Sequence, residues 1–218
     1  MSIVHSYRSA SIDQRVLELF ALVGDSFVGA KEALLHSDTS ITTRLVDRER
    51  RIDELYGTLQ HEVSQRLMED DHQPGELHYL VGIVRIIPEL ERSGDLAEHI
   101  ARKASLDLTR DLKPRCRGIM EQMAELGASM WTQASLAFDA QDPSVANHLD
   151  QLDESLDDLH VSFMTEVASS SPPIAIAMEL ALVGRFLERF GDHAVNLART
   201  TASLITQLDP YPKASSED

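Results

Sequence analysis

The chain has 218 residues, of which 43% are hydrophobic and only 5% are aromatic. Leu and Ala dominate the apolar residues, which favours helical packing over the aromatic, β-branched core of a β-sandwich. The formal net charge is −16 and no basic cluster stands out, so we expect no nucleic-acid partner, because phosphate backbones are bound through Lys and Arg.

Clusters of helix-breaking residues divide the sequence into six long periodic runs. They predict helices over residues 9–37, 40–69, 75–112, 114–139, 143–168 and 173–208, and a disordered tail at 209–218. The N-terminus lacks the apolar core of a signal peptide, and no apolar run is long enough to span a membrane. We expect a cytoplasmic protein that meets a membrane only through its partners, with the lone Cys116 as a buried structural thiol.

One segment of the third predicted helix returns in the sixth. LERSGDLAEHIAR at residues 90–102 and LERFGDHAVNLAR at 187–199 share eight of thirteen letters, 97 residues apart. Each copy follows a helix with an apolar-Asp-Glu triplet, at residues 52–54 and 152–154. The fold is therefore predicted to be all-α, with two tandem, sequence-similar three-helix bundles at residues 1–112 and 113–208. Gly94 and Gly191 lie on a stripe of small residues, where another backbone is expected to approach closely.

Acidic residues four apart recur on the second and third helix of each half. Like charges at this spacing lie one above the other and disfavour a helix slightly, so a positive group should compensate. Neighbouring helices of a bundle run antiparallel and can bring two such pairs together around a hard cation. The candidate metal ligands are Glu49, Asp53, Glu91, Asp95, Asp153, Asp157, Glu188 and Asp192.

Several interpretations of these carboxylates stay open at this point. Arg92 and Arg189 could pair with the aspartates three residues later as solvated ion pairs, which would make the chain a purely structural helical adaptor. A carboxylate-bridged, ferritin-like metal enzyme would need Glu-x-x-His on two helices, and only Glu69 and His72 fit, in a predicted loop. We therefore predict a non-enzymatic protein. The spacing does not identify the metal, which could be divalent or trivalent iron, zinc, manganese or magnesium.

The two E-R-x-G-D copies, in ELERSGDLAEHI at 89–100 and FLERFGDHAVNL at 186–197, resemble the PhoU family of phosphate-signalling regulators. The similarity extends over about residues 9–208. It implies a cytoplasmic, often dimeric protein of two three-helix bundles whose repeated motifs bind metal ions or multinuclear clusters. Carried over to this chain, the motif residues are Glu91, Asp95, Glu188 and Asp192, with Asp53 and Asp153 on the preceding helices.

The same resemblance implies a role in signalling. Members of the family act as negative regulators of the phosphate-starvation response. They are thought to link the ATPase subunit of the phosphate ABC transporter to a membrane sensor histidine kinase. By this resemblance the chain is expected to be a homodimer that works through protein contacts.

The two halves depart from one another at two positions. Leu149 stands where the first half has Glu49, so the second site is expected to depend on Asp150 or Asp157, or to hold fewer ions. Pro88 has no counterpart at Arg185, and it should kink the third helix or remove one hydrogen bond from it.

Overall fold

The computed structural model of the chain describes residues 8–36, 40–73, 75–110 and 112–208. Six long α-helices lie in these ranges: α1 (Ala10–His36), α2 (Ser40–Leu67), α3 (Glu76–Lys103), α4 (Pro114–Ala140), α5 (Val145–Ser170) and α6 (Ile174–Leu208). The described ranges contain no strand, and the all-α prediction of two tandem three-helix bundles is confirmed. The tail predicted at 209–218 lies outside the described residues.

Glycine, proline and left-handed residues set the helix ends. Gly75 precedes α3 with a φ of 93°, a conformation that costs glycine little, and Pro114 occupies the first turn of α4, where its missing N–H is not needed. Gln141 and Ser171 follow α4 and α5 in the left-handed region, with φ of 56° and 49°. The breakers in the sequence therefore end the helices close to where they were predicted.

The exception is the end of α3, which stops at Lys103 and not at 112. A short 3-10 turn at Ala104–Leu106 follows, and Asp107 adopts the left-handed region with a φ of 48°. The apolar residues after Lys103 still follow a helical spacing, which is why a longer helix was predicted. In the structure, however, Leu108 is buried in the core although it lies in the turn and not in a helix. Periodicity alone therefore overextended the predicted helix.

Helices α3 and α6 lie antiparallel and join the two halves. The Oγ of Ser93 lies 3.0 Å from Nδ1 of His193 near the middle of the contact. Lys103, at the end of α3, forms an ion pair with Glu179 near the start of α6. The helix α3 runs unbroken through Pro88, which has no N–H to donate to the preceding turn.

Aromatic rings make the cores of the two halves continuous. The ring of Phe27 from α1 stacks on Phe190 from α6, with centroids 3.7 Å apart. Trp131 from α4 lies against Phe190 and donates its indole N–H to the carbonyl oxygen of Phe20 at 2.9 Å. The division at 112/113 stays a prediction, and the buried apolar cluster extends across it.

The motif glycines do allow a close approach, but to side chains and not to a backbone. A Cβ on Gly191 would lie 2.3 Å from Cδ2 of Leu156, and one on Gly94 would lie 3.3 Å from Cδ1 of Ile52. Both glycines therefore make room for an apolar residue of the preceding helix in their own bundle.

Candidate functional site

The first acidic face lies between α2 and α3 and comprises Glu49, Asp53, Glu91, Asp95 and Glu98. Glu91 and Asp95 are partly buried on α3, and burial is the largest cause of the raised pKa of each carboxyl. The charge of Asp53, on α2, raises both pKa values further. The structure therefore brings Asp53 to the motif residues of the first half, as predicted for facing carboxylate pairs.

Glu49 contacts Glu98, which was not among the candidate metal ligands predicted from the sequence. Burial raises its pKa to about 7, and a hydrogen bond between its carboxyl and that of Glu98 acts in the same direction. Glu98 lies seven residues after Glu91 on α3, so it shares the face of the motif. This two-turn spacing could have identified Glu98 in the sequence.

The second acidic face lies between α5 and α6 and comprises Asp153, Asp157, Glu188 and Asp192. Burial raises the pKa of Asp153 to about 6, and the charges of Asp192 and Asp157 raise it as well. Burial also raises the pKa of Glu188 to about 7, again with contributions from Asp192 and Asp157. Asp157 and Asp192 are therefore each within electrostatic range of both Asp153 and Glu188.

Two oxygens of the second face are buried without a hydrogen-bond partner within the protein. They are Oδ1 of Asp153 and Oε2 of Glu188. Glu188 is only 7% exposed, and Arg185 donates to its other oxygen, Oε1. A buried oxygen with no partner is costly, and a cation or a proton would relieve that cost.

The arginines near the faces pair differently from the expected pattern. Arg92 donates to Glu89 at 3.0 Å and not to Asp95. Arg199 donates to Asp150 at 3.0 Å, which links α6 to α5 beside the second face. The second half has Leu149 at the position of Glu49. Because Asp150 is already paired with Arg199, Asp157 is the better candidate to replace the missing carboxylate.

Leu149 accounts for one difference between the two faces. Its side chain is fully buried in the core, so the second half has an apolar contact where Glu49 extends the first face. The second face has four carboxylates on two helices, whereas the first has five. Their capacities for a cation should therefore differ.

The donor set of each face consists of carboxylate oxygens, which hard cations prefer, and the two unpartnered oxygens fit such a ligand. The side chains do not, however, form a finished coordination shell. Within the described ranges, no group of three or more His, Cys, Asp or Glu side chains is close enough to hold a metal ion. Carboxylates without a cation between them repel each other, and binding would have to draw them together.

The histidines and the cysteine have other environments. His193 is buried against Ser93, and His99 stacks on Phe186 at a centroid distance of 5.4 Å. His72 lies after the end of α2, outside any helix, and Cys116 is buried. Among the residues that the structure describes, no helix has the length and apolar character needed to cross a membrane.

Comparisons of the sequence and of the structure with known proteins all identify the same family. The family model of the PhoU domain matches residues 16–104 and 120–201, one match in each half. The "Phosphate-specific transport system accessory protein PhoU homolog 1" of Mycobacterium tuberculosis is 28% identical over 213 residues, which cover 96% of each chain. The PhoU homolog of Synechocystis is also 28% identical, over 89% of this chain and 88% of the relative.

Solved structures show the same fold. PhoU from Pseudomonas aeruginosa superposes with a TM-score of 0.82 at 23% identity, covering 92% of this chain and 96% of that one. The phosphate transport system regulatory protein PhoU from Streptococcus pneumoniae gives 0.77 at 22% identity, with 90% and 94% covered. With a family match in both halves and similarity along nearly the whole length, this chain belongs to the PhoU family.

Proposed function

We propose that this protein is an accessory regulator of phosphate transport that represses the phosphate-starvation response when phosphate is plentiful. Support comes from the full-length similarity to phosphate-specific transport system accessory proteins and from two family domains. The protein acts through contacts with the ATPase subunit of the phosphate ABC transporter and with a membrane sensor histidine kinase. It works in the cytoplasm as a homodimer and catalyses no reaction.

The acidic faces give this regulator a place for metal ions. The observation that carries this part is the pair of buried, unpartnered oxygens on Asp153 and Glu188. In the second face the ligands are Asp153, Asp157, Glu188 and Asp192, and in the first they are Glu49, Asp53, Glu91 and Asp95. Bound cations would neutralise carboxylates that otherwise repel each other and would fix α2 to α3 and α5 to α6.

A phosphate-starvation reporter in phosphate-rich medium tests the regulatory role. Deletion of the gene should raise the output, and the wild-type gene supplied in trans should lower it again. Unchanged output after deletion, in a strain without other PhoU-family genes, would contradict the proposal.

The same reporter tests whether the acidic faces matter. Two double variants, supplied in trans to the deletion strain, should restore repression less well than the wild-type gene does. They are Glu91→Gln with Asp95→Asn and Glu188→Gln with Asp192→Asn. The matched control is Glu154→Gln, which changes an exposed carboxylate on α5 adjacent to Asp153 in the sequence and outside the second face. Full repression by both double variants would show that the carboxylates are not required.

Metal binding is measured separately on purified protein. Manganese, iron, zinc and magnesium are added one at a time to chelator-treated protein, and the midpoint of thermal unfolding is recorded. A ligand that binds only the folded state raises this midpoint, so the wild type should be stabilised and the two double variants less so. If no metal changes the midpoint or stays bound on dialysis, the metal part of the proposal fails, whatever the reporter shows.

A further inference from the structure

A basic groove lies along the contact between α3 and α6, although the chain as a whole is strongly acidic. It encloses about 500 Å³ and is lined by three arginines, Arg85 and Arg92 from α3 and Arg199 from α6. The sequence has 36 acidic and 20 basic residues, so three guanidinium groups on one groove are unusual for its composition. Neither acidic face contributes a carboxylate to the lining.

Helix geometry accounts for the convergence of these side chains. Arg85 and Arg92 are two turns apart and therefore share one face of α3. Asn196, Thr200 and Ser203 recur at the same helical spacing on α6 and line the opposite wall. Because the two helices are antiparallel, the two rows border the groove along its length and combine three guanidinium groups with an amide and two hydroxyls.

The guanidinium groups keep donors available for a ligand. Arg92 is paired with Glu89 at 3.0 Å, and Arg199 with Asp150 at 2.9 Å. A guanidinium carries five N–H donors, so each of these pairs leaves several unused. Arg85 is exposed and, within the described part of the chain, has no hydrogen bond or ion pair.

The groove is repeated only in part in the other copy of the motif, where Arg189 corresponds to Arg92 and Arg102 to Arg199. At the repeat distance of 97 residues, Leu182 corresponds to Arg85, and Leu106 corresponds to Ser203. Both leucines are exposed, so packing in the core does not explain why these two positions are apolar while Arg85 and Ser203 are polar. The groove therefore differs from the corresponding surface of the other copy mainly at Arg85 and Glu89, which correspond to Leu182 and Phe186.

We propose that this groove binds a phosphoryl oxyanion, either inorganic phosphate or a small phosphomonoester. Guanidinium groups match the oxygens of a phosphate with paired, charge-assisted hydrogen bonds, and the amide of Asn196 and the hydroxyl of Thr200 add neutral donors. The lining has no aromatic ring on which a nucleobase could stack. The ligand class is therefore defined by its phosphoryl group.

Glu89 makes the groove selective among anions. It is the one carboxylate in the lining; its Oε2 is buried 3.6 Å from Nδ1 of His193, so Oε1, which accepts from Arg92, is the oxygen offered to a ligand. Inorganic phosphate keeps a proton at neutral pH and can donate its O–H to a carboxylate, whereas sulfate, like a phosphomonoester above its second pKa of about 6, has no proton to donate. We therefore expect phosphate to be preferred over sulfate. This site adds a ligand to the proposed regulator and needs no metal ion.

The test is calorimetric titration of full-length protein freed of metal and chelator, at constant ionic strength because salt screens exposed charges. Inorganic phosphate, glycerol phosphate and sulfate are the probes. Phosphate or glycerol phosphate should bind with a Kd on the order of 1 mM or tighter, and the tighter of the two identifies the source. Arg85→Gln and Arg199→Gln should each weaken binding roughly tenfold, since each removes charge-assisted hydrogen bonds.

Glu89→Gln should reduce the preference for phosphate over sulfate while leaving sulfate binding no weaker. Arg110→Gln is the matched control, because Arg110 is an exposed arginine with an ion pair three residues away, as Arg92 has, and lies outside the groove. Unfolding midpoints confirm that each variant is folded.

Three results would overturn the groove assignment: no phosphate or glycerol phosphate binding, equal binding of sulfate, or equal weakening by Arg110→Gln. Unchanged binding by Arg85→Gln and Arg199→Gln would also contradict it. The reporter assay is independent of this titration, so a failure here would leave the regulatory proposal standing.

Discussion

Glu188 is the most buried carboxylate of the second acidic face, and its pKa of about 7 links stability to pH. Because the ordinary value is 4.5, the folded protein holds this proton more tightly than the unfolded chain does. The resulting stability is complete below the ordinary pKa and is lost as pH rises through about 7. In metal-free protein, Glu188→Gln should therefore reduce the loss of unfolding free energy between acid and neutral pH by about 1–3 kcal/mol.

Urea unfolding at a series of pH values measures this difference. Glu154→Gln serves as the control and should leave the pH dependence of the wild type unchanged, since Glu154 is exposed. Parallel curves for the wild type and Glu188→Gln would contradict the stated cause.

Raised pKa values also predict that metal binding releases protons. Glu49 and Glu188 have pKa values of about 7, and Asp153 has one of about 6. A cation must displace any proton that these groups hold, so metal affinity should be lower in mild acid than in mild base. Calorimetry in buffers with different ionisation enthalpies measures the protons released. A binding heat that is independent of the buffer near pH 6 would be inconsistent with carboxylate ligation at either face.

The spacing of acidic residues predicted which carboxylates share a helix face, and in the structure several of them affect one another's pKa without forming a metal-binding group in the described ranges. It could not predict their partners on other helices. Glu49 contacts Glu98, and Arg92 pairs with Glu89 and not with Asp95. Such contacts depend on how each helix is rotated and shifted against its neighbour, which the spacing of residues along one helix does not define. The basic groove was missed for the same reason, since its arginines form no cluster in the sequence.

At the scale of the helices, we predict that the two motif glycines differ in how much their replacement by alanine destabilises the protein. A Cβ on Gly191 would overlap with Leu156, which is fully buried and has little room to move, whereas one on Gly94 would meet Ile52 at 3.3 Å. Gly191→Ala should lower the unfolding free energy by about 1–3 kcal/mol. Gly94→Ala should cost less, because Ile52 need shift by only a few tenths of an ångström.

Gly57 provides the control for helix propensity alone. It lies within α2, and a Cβ there would have no heavy atom within 4 Å. Gly57→Ala should therefore stabilise the protein by about 0.5–1 kcal/mol, the backbone contribution expected in any helix. Chemical denaturation of the three variants compares them directly. Equal costs at Gly191 and Gly94 would show that the side chains around Gly191 rearrange freely.

Helix ends differ in how well the sequence defines them. Pro114 and Gly75 are strong local signals, and α4 and α3 begin there. The end of α3 has no such signal, because Asp107 adopts the left-handed region without being a glycine and apolar residues continue beyond it. Tertiary contacts hold the turn in place of a longer helix: Leu108 packs into the core, and the buried Thr109 donates its hydroxyl to the carbonyl oxygen of Leu34.

For the whole molecule, the repeat predicted two similar bundles but not how they join. The antiparallel pairing of α3 with α6 and the buried contact of Ser93 with His193 follow from the arrangement of the halves. No sequence periodicity encodes these contacts, because they join residues 76 to 100 positions apart. The pairing also gives the groove its two walls, one from each half.

A continuous core predicts that the two halves unfold together. Phe190 stacks on Phe27 across the junction and contacts Trp131, so Phe190→Ala would leave a cavity that both halves share. We expect a loss of about 3–5 kcal/mol in unfolding free energy, and faster hydrogen exchange in α3 as well as in α6. Fluorescence of Trp131, the single tryptophan, should follow the same transition as helical circular dichroism. If the fluorescence and dichroism midpoints separate, or exchange in α3 is unchanged, the halves unfold as independent units and the ring contact is only an interface between them.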